Sequence, residues 1–592
     1  MPSITINGKV CEFKPGQMIL QVANDQGLAI PQYCYHDGLS IVASCRICLA
    51  EVWAPNPRNG NKLESMGKLL PTCQTACTDG MVVYTDSPKA IANQKAVMEY
   101  LLINHPLDCP VCDQSGECFL QDYSYEYGRG VSRFEETKVK QPKKDLGPHV
   151  YLYSDRCIMC SRCVRFTREV SGTAELMVQG RGNTEQIDIF PGAALDNELS
   201  ANVIDLCPVG ALLDKDFLFT QRVWFLKETP SIDGITASGD NISIHHNNGV
   251  VYRVKPRTNM AVNKWWISDE IRYGWKFVHA ENRLRTPTHV KLGRRVECDF
   301  SRAYAEAVEG LKGGASRGGL AMVVSPMLSC EEAYLLGKLA RAIDPSATLA
   351  VGPVPMEGKD KAFPGGYTIY AEKAPNARGV RRALEAVAGR GVVGYEEFAS
   401  RAGSFGAVVL TGNYPSEWVT AELAKSLQRA PSVSDGSSSA PFVVLIDTLP
   451  NRLSGKLGEA GGANVVIPGA TWIEKGGTFE NAKGMLQAFE QAIPVIELAK
   501  SEGQIALDLL SIVEGAAEVN APDEMRLMEI PAMPGQVSGA ARLAAPRVRE
   551  FNAAEIRREM AGFSDSLRLF VTDVKMPVVE VKQVADVEVV EL

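Results

Sequence analysis

Thirteen of the fifteen cysteines lie within the first 207 of 592 residues, and only Cys298 and Cys330 follow. Fifteen thiols are too few to staple a chain of this length with disulfides. Crowded at one end, they point instead to bound metal. The chain therefore reads as a Cys-rich head on an ordinary globular body, about four domains at roughly 150 residues each. The net charge of −8 argues against a nucleic-acid protein. No apolar run reaches the length of a transmembrane helix. The N-terminus, MPSITINGKVCEFKPGQ, has neither the apolar core of a Sec signal nor the Arg/Ser bias of a transit peptide.

Residues 3–14 alternate as a hairpin turning at Asn7-Gly8, and 17–28 read as a helix. Residues 54–68 are polar and rich in Gly, Pro and Asn, which predicts a surface loop. Residues 88–104 are helical, ending before Pro106. Residues 241–256 read as a small β unit. From about 300, apolar strands (GGLAMVVSP, GAVVLTGN, PFVVLIDTLP, GANVVIP) alternate with helices (CEEAYLLGKLARAI, SEWVTAELAKSLQRA). That alternation predicts parallel βαβ units. Residues 432–440 read as a flexible loop. Beyond 500 the chain is helical, then Pro/Ala-rich, and residues 578–592 alternate as an edge strand or partner-binding tail.

Three sets of four donors stand out in the head. Cys34, Cys45, Cys48 and Cys73 follow a hairpin and a helix, which suggests a β-grasp ferredoxin with a [2Fe–2S] cluster. Plant-type ferredoxins use C-x4-C-x2-C…C, so the ten-residue first gap is long. Cys77 competes with Cys73 for the fourth place, and zinc is the alternative metal. His105, Cys109, Cys112 and Cys118 fall within HPLDCPVCDQSGEC. These four suit one centre, either zinc or a [4Fe–4S] cluster with one neutral imidazole. The third set is Cys157, Cys160, Cys163 and Cys207. Bacterial two-cluster ferredoxins carry two runs of C-x2-C-x2-C-x3-C-P, and the last Cys of each run ligates the other cluster. On that template 157, 160 and 163 keep Cys, while 167 is Thr. Asn197, Ser200 and Val203 replace the second run, but Cys207-Pro208 survives. The remaining four build one [4Fe–4S] cluster, and the other cluster's ligands are all lost.

Cys11, Cys77, Cys298 and Cys330 are left without assigned chemistry; free cysteine is commonly a small buried hydrophobe. Three clusters with no visible nucleophile or base describe an electron wire, tuned by hydrogen bonds, charge and burial. Arg46, Arg162 and Arg165 lie near the ligands and either raise potentials, pair with acids of a partner, or serve as ordinary surface charges.

The order of a [2Fe–2S] domain, then HPLDCPVCDQSGEC, then CIMCSRCVRF with a distant CPVGAL resembles one family. It is similar to the large iron–sulfur subunits of the proton-pumping NADH:quinone oxidoreductase, respiratory complex I. In the body, VVIPGATWIEKGGTFENAKGMLQ (465–487) resembles a segment this family shares with molybdopterin oxidoreductases. The resemblance implies an α+β head (β-grasp ferredoxin plus cubane ferredoxin-like domains) and an α/β molybdopterin-oxidoreductase-like body. Its domains would be 1–87 ([2Fe–2S]), 88–140 (a [4Fe–4S] domain with one His and three Cys ligands), 141–222 (a ferredoxin-like domain with one cluster lost), 223–285, 286–500 (the body) and 501–592 (a C-terminal extension). Relatives with an additional cluster carry C-x2-C-x3-C after W-x-L-K-x-T-P-S-I and a fourth Cys further on. Here WFLKETPSI (224–232) is followed by Asp233, Thr236 and Asp240, and Ser268 stands at the fourth place. Domain 223–285 is thus expected to be a degenerate iron–sulfur domain.

By the same resemblance, electrons from NADH and flavin on a partner subunit would enter at the [2Fe–2S] centre. They would pass to the Cys157 cluster, then the His105 cluster, and leave for quinone through other peripheral-arm subunits. The chain would be a subunit of NADH dehydrogenase with no complete active site, no molybdenum cofactor and no membrane span. It would sit peripherally on the cytoplasmic side of a bacterial inner membrane and not act as a monomer. The tail after 500 departs from that resemblance and is expected, on its own account, to brace neighbouring subunits. No G-x-G-x-x-G fingerprint follows a strand. Competing readings are a diaphorase-type subunit of an NAD-linked hydrogenase or formate dehydrogenase, a catalytic molybdoenzyme, and a zinc-stapled scaffold.

Overall fold

The structure, a computed structural model, describes residues 1–389, 391–428, 440–515 and 549–577. Residues 432–439 and 578–592, read above as a loop and an alternating tail, lie outside the described residues. Two compact units form. One comprises Met1–Lys227 with Lys264–Glu270 and Ala362–Thr368; the other comprises Glu228–Asn263, Ile271–Lys361 and Ile369–Leu592.

The first unit opens with a five-stranded sheet, in the order β2-β1-β5-β3-β4. Strands β1 (Ser3–Ile6) and β2 (Lys9–Glu12) form the expected hairpin, with Asn7 and Gly8 at φ 48° and 85°. Positive φ at both turn positions is what a two-residue hairpin loop of matching twist requires. Helix α1 (Ile19–Asp25) lays Ile19, Leu20, Val22 and Ala23 onto the sheet beside Ile4 and Ile6. Strands β3 (Leu49–Asn56), β4 (Lys62–Pro71) and β5 (Val82–Tyr84) complete it.

Here one expectation fails. Residues 54–68 are not a loop, because most of them extend the β3–β4 ribbon. The turn is fixed by polar contacts that hydrophobic alternation cannot reveal. Asn56 Nδ2 and Asn59 Nδ2 both donate to Glu64 at 2.6 Å, and Gly60 takes φ 62°. A ribbon exposed on both faces carries no period-2 signal.

Helix α2 (Pro88–Leu102) begins at a Ser87 cap with Pro at its first position, as its sequence predicts. After it come α3 (Phe119–Glu126), α4 (Arg162–Glu169) and α5 (Asn202–Leu206). A three-stranded sheet lies among them, with β7 (Val150–Tyr153) between β6 (Lys143–Asp145) and β8 (Leu212–Asp214). The chain around Asn202 is held to the inserted segment: Asn202 Nδ2 donates to Ile267 O at 2.7 Å, and Ser200 Oγ to Asp269 at 2.6 Å.

The second unit contains a seven-stranded sheet. Five parallel strands run β13 (Thr348–Val351), β12 (Leu320–Val324), β14 (Ala407–Thr411), β15 (Phe442–Asp447) and β16 (Val465–Pro468). An antiparallel hairpin, β10 (Thr288–Lys291) and β11 (Arg294–Glu297), finishes one edge; β9 (Asn241–Asn247) is central to a separate three-stranded sheet. The chain leaves β12 in one direction and returns to β14 on its other side. Open α/β sheets bind ligands at such a switch point. Here protein fills it: Tyr414, 2% exposed, donates to Pro353 O at 2.7 Å, and Asp447 accepts from Trp418 Nε1 at 2.8 Å.

Helices α6 (Phe300–Gly318) and α7 (Cys330–Ile343) pack onto this sheet with α8 (Glu502–Val513) and α9 (Ala553–Phe563). Ile505, Leu509, Ile556 and Met560 belong to the same apolar core as Leu335 and Leu339. Residues past 500 are thus part of the body's core, and a boundary at 500 cuts through it. The helix expected over SEWVTAELAKSLQRA is confined to Ala421–Leu427 among the described residues.

Candidate metal centres

The first donor set forms two close pairs. The Cys34 thiol is held down to about 5, chiefly by its hydrogen bond with the Cys45 thiol, and Cys45 is pushed up in turn. Cys48 is likewise held at about 6 by Cys73, whose own thiol is pushed up. Thiolates are the ligating form of cysteine, and within each pair one thiol favours the ionised form of the other. A [2Fe–2S] centre presents two irons, each with room for two cysteines, so two pairs match its symmetry. Cys77 has no such partner; burial alone pushes its thiol to about 11. The strand end sets the fourth position: Thr72 Oγ1 donates to Cys48 O at 3.0 Å and brings Cys73 beside Cys48. In the Cys45 loop, Ala43 and Arg46 take φ 50° and 60°.

His105, Cys109, Cys112 and Cys118 line one recess of about 280 Å³, together with Asp108, Arg156 and Gly210. Burial, then the charges of Arg156 and Lys138, hold His105 down at about 4. Its imidazole is neutral at ordinary pH, the form that ligates metal. Cys109 is exposed, while burial pushes Cys118 up to about 12.

Cys157, Cys160, Cys163 and Cys207 line a second recess, of about 350 Å³, walled by Leu152, Ile187, Val209 and Leu212. Met159 and Ser161, at φ 53° and 58°, alternate with the cysteines. Left-handed turns at non-glycine residues are costly and gather at functional sites. Met159 N donates to Cys157 Sγ at 3.4 Å, and burial pushes the Cys157 and Cys160 thiols up to about 12 and 11. N–H donors to sulfur of this kind tune the potential of a bound cluster.

The second and third sets share a wall. A Cβ on Gly210 would stand 2.2 Å from Cys112 Sγ, so only glycine fits three residues after Cys207. Phe119 N, next to Cys118, donates to Pro208 O at 3.0 Å. Arg156, next to Cys157, lines the His105 recess. Sequence reasoning names Arg46, Arg162 and Arg165 and misses Arg156 and Gly210. The Gly in CPVGAL is the available signal for the second.

Among the described residues, no three His, Cys, Asp or Glu side chains converge closely enough to hold a single metal ion. Where relatives with an additional cluster carry their first cysteine, Asp233 accepts hydrogen bonds from Ile235 N, Thr236 N and Ser238 Oγ at 2.8–3.0 Å. Thr236 and Asp240 are buried in the same turn, and Ser268 belongs to the other unit. Cys330 is buried with Sγ 3.4 Å from Asn376 Oδ1, while Cys298 is half-buried.

Known proteins align with this arrangement. Residues 2–88 match a 2Fe-2S iron-sulfur cluster binding domain. Residues 94–133 match the NADH-ubiquinone oxidoreductase-G iron-sulfur binding region, and 147–213 the ferredoxin-like domain of NADH-quinone oxidoreductase subunit 3. Residues 226–276 match the NDSU1/NuoG-like 4Fe-4S domain of NADH-ubiquinone oxidoreductase, despite Asp233, Thr236, Asp240 and Ser268. Residues 457–511 match the molybdopterin oxidoreductase family.

The G subunit of NADH-quinone oxidoreductase from Rickettsia felis is 36% identical over 343 residues, 58% of this chain and 49% of the relative. The mitochondrial 78 kDa subunit of NADH-ubiquinone oxidoreductase from Neurospora crassa is 41% identical over 305 residues, 51% and 39% of the two chains. A solved NAD+-reducing [NiFe]-hydrogenase aligns at 27% identity over 38% of this chain and 91% of its own, with a TM-score of 0.32. The expected similarity to the large iron–sulfur subunit, and to domains that bind 2Fe-2S and 4Fe-4S clusters, is thus present in the chain. This chain spans about half the length, or less, of these curated relatives.

Proposed function

We propose that this chain is the large iron–sulfur, G-type subunit of an NADH:quinone oxidoreductase and relays electrons within its peripheral arm. The observation that carries the reading is the succession of donor sets. The Cys34 set is tied to the Cys157 set through α4, and the Cys157 set shares a wall with the His105 set. That is the order of a relay from [2Fe–2S] to cubane to cubane.

When bound, such clusters accept and release single electrons without breaking bonds. The chain's residues do the rest. Paired thiols Cys34/Cys45 and Cys48/Cys73 would hold one iron each of the [2Fe–2S] centre. Cys157, Cys160, Cys163 and Cys207 would hold one [4Fe–4S] centre. His105, Cys109, Cys112 and Cys118 would hold the other, with His105 supplying a neutral donor. The walls around Cys157 are largely apolar, with Leu152, Ile187, Val209 and Leu212 among them.

At the level of fold, a β-grasp ferredoxin and a ferredoxin-like domain that has lost one cluster fit the head. The partners would be the flavin/NADH-binding subunit and further peripheral-arm subunits, at the cytoplasmic face of a bacterial inner membrane. No helix among the described residues is long and apolar enough to cross a membrane.

The test is iron and acid-labile sulfide content of the anaerobically purified chain, with EPR after dithionite reduction. The reading expects about 10 iron per chain, one binuclear and two cubane signals. Stoichiometric zinc with little sulfide would overturn it, and molybdenum would reopen an enzymatic role.

A further inference from the structure

The face of α4 that carries Arg162, Arg165 and Glu169 grips the loop at residues 34–40. Arg162 Nη2 donates to Tyr35 O and its Nη1 to Leu206 O at 3.3 Å. Glu169 accepts from Ser40 N and Ser40 Oγ at 2.8 and 2.6 Å. Between them lies Arg165, 8% exposed. Its Nη1 donates to Ser40 O, and its Nη2 donates to two carbonyls at once: Cys34 O, and Cys160 O at 3.3 Å. Cys34 and Cys160 belong to different donor sets. One guanidinium nitrogen thus joins the backbones of two ligands, one from each centre.

We propose that Arg165 is the electronic and positional joint between the [2Fe–2S] site and the Cys157 cubane site. This rests on the relay reading above. The step it serves moves one electron from the first site to the second, with no bond broken and no proton transferred. Arg165 acts in two separable ways. Its positive charge, buried within reach of both ligand sets, stabilises the reduced, more negative state of each, since charges interact strongly where water is excluded. Its fork also fixes the Cys34 and Cys160 carbonyls on one nitrogen, leaving a single hydrogen-bonded atom between the two ligand backbones. Arginine suits this because its planar donors are pre-organised and always charged. Lysine preserves charge but cannot span three carbonyls in a fixed plane.

The experiment compares Arg165→Gln, Arg165→Lys and Glu169→Gln in the full chain, purified with its clusters. Iron and sulfide are counted first. Redox titration by EPR then gives both midpoint potentials. A pulse of photoreductant followed by freeze-quench EPR gives the rate at which the two centres equilibrate. Arg165→Gln is expected to lower both potentials and slow equilibration several-fold. Arg165→Lys is expected to restore the potentials but not the rate. Glu169→Gln loosens the same loop without touching either ligand carbonyl; removing its negative charge should raise the potentials slightly, and it should slow equilibration less than Arg165→Gln. The proposal is overturned if Arg165→Gln equilibrates at the unsubstituted rate, or is slowed no more than Glu169→Gln. If Arg165→Gln loses its clusters, Arg165→Lys decides: an unchanged rate there sinks the joint. Absence of clusters from the unsubstituted chain would instead be a failure of the relay reading.

Discussion

Arg156 holds the Asp108 carboxylate through Nε and Nη2, at 3.2 and 2.9 Å, while its own side chain is 2% exposed. The guanidinium also lies 4.0 Å from the Tyr153 ring centroid. Asp108 and Arg156 both line the His105 recess, so the pair braces that site from beneath. Breaking a fully buried pair costs about 3–5 kcal/mol. Asp108 keeps 31% of its side chain in water and can resolvate, so Arg156→Met should cost roughly 2 kcal/mol. The expected readout is a lower thermal midpoint and loss of one cubane EPR signal, with the binuclear signal retained. Equal loss of all three signals would show that Arg156 supports the whole head and not this recess.

Cys73 and Cys77 compete as the fourth ligand of the first set, and the thiol pairs favour Cys73. Cys73→Ser should remove the binuclear signal and leave both cubanes. Cys77→Ser should retain all iron, because burial alone shifts its thiol and none of the other donors contributes. The reverse pattern would reassign the ligand.

The donors are legible because metal sites need specific residue types at short spacing, and Cys157, Cys160, Cys163 and Cys207 match a template residue by residue. The walls between sites are not. Gly210 and Arg156 matter through contacts with residues about 100 and 50 positions away, and one sequence gives no such pairing. Apolar strands such as Leu320–Val324 are legible because they are buried on both faces. The β3–β4 ribbon is not, since Asn56, Asn59 and Glu64 fix it by side-chain hydrogen bonds without apolar alternation.

Deep in the body, one ammonium faces two carboxylates. Lys475 Nζ lies 2.9 Å from Glu332 and 2.5 Å from Glu502, all buried. Burial, then repulsion from Glu332, raises Glu502 to about 8, with Lys475 opposing. The folded chain therefore holds this proton more tightly than the unfolded one. Stability from Glu502 is complete below about 4.5 and is lost as pH rises through about 8. The thermal midpoint of the body should fall across that window, and Glu502→Gln should flatten the slope. An unchanged slope would exclude Glu502 as its source.

A tail that only braces neighbouring subunits could be removed after residue 500 without harm to the body. The packing of α8 predicts otherwise. Leu509 is 1% exposed and shares a core with Leu335, Leu339 and Met560. Glu502, at the start of the same helix, is bound to Lys475. Leu509→Ala should cost about 3 kcal/mol, the usual range for a cavity that cannot collapse. Truncation after residue 500 should do more, exposing the apolar faces of α6 and α7 and binding a hydrophobic dye. Denaturant unfolding of both variants measures this, with iron content as the control for the head. If the truncated chain unfolds at the full-length midpoint, α8 is a bracing segment after all and the core stands without it.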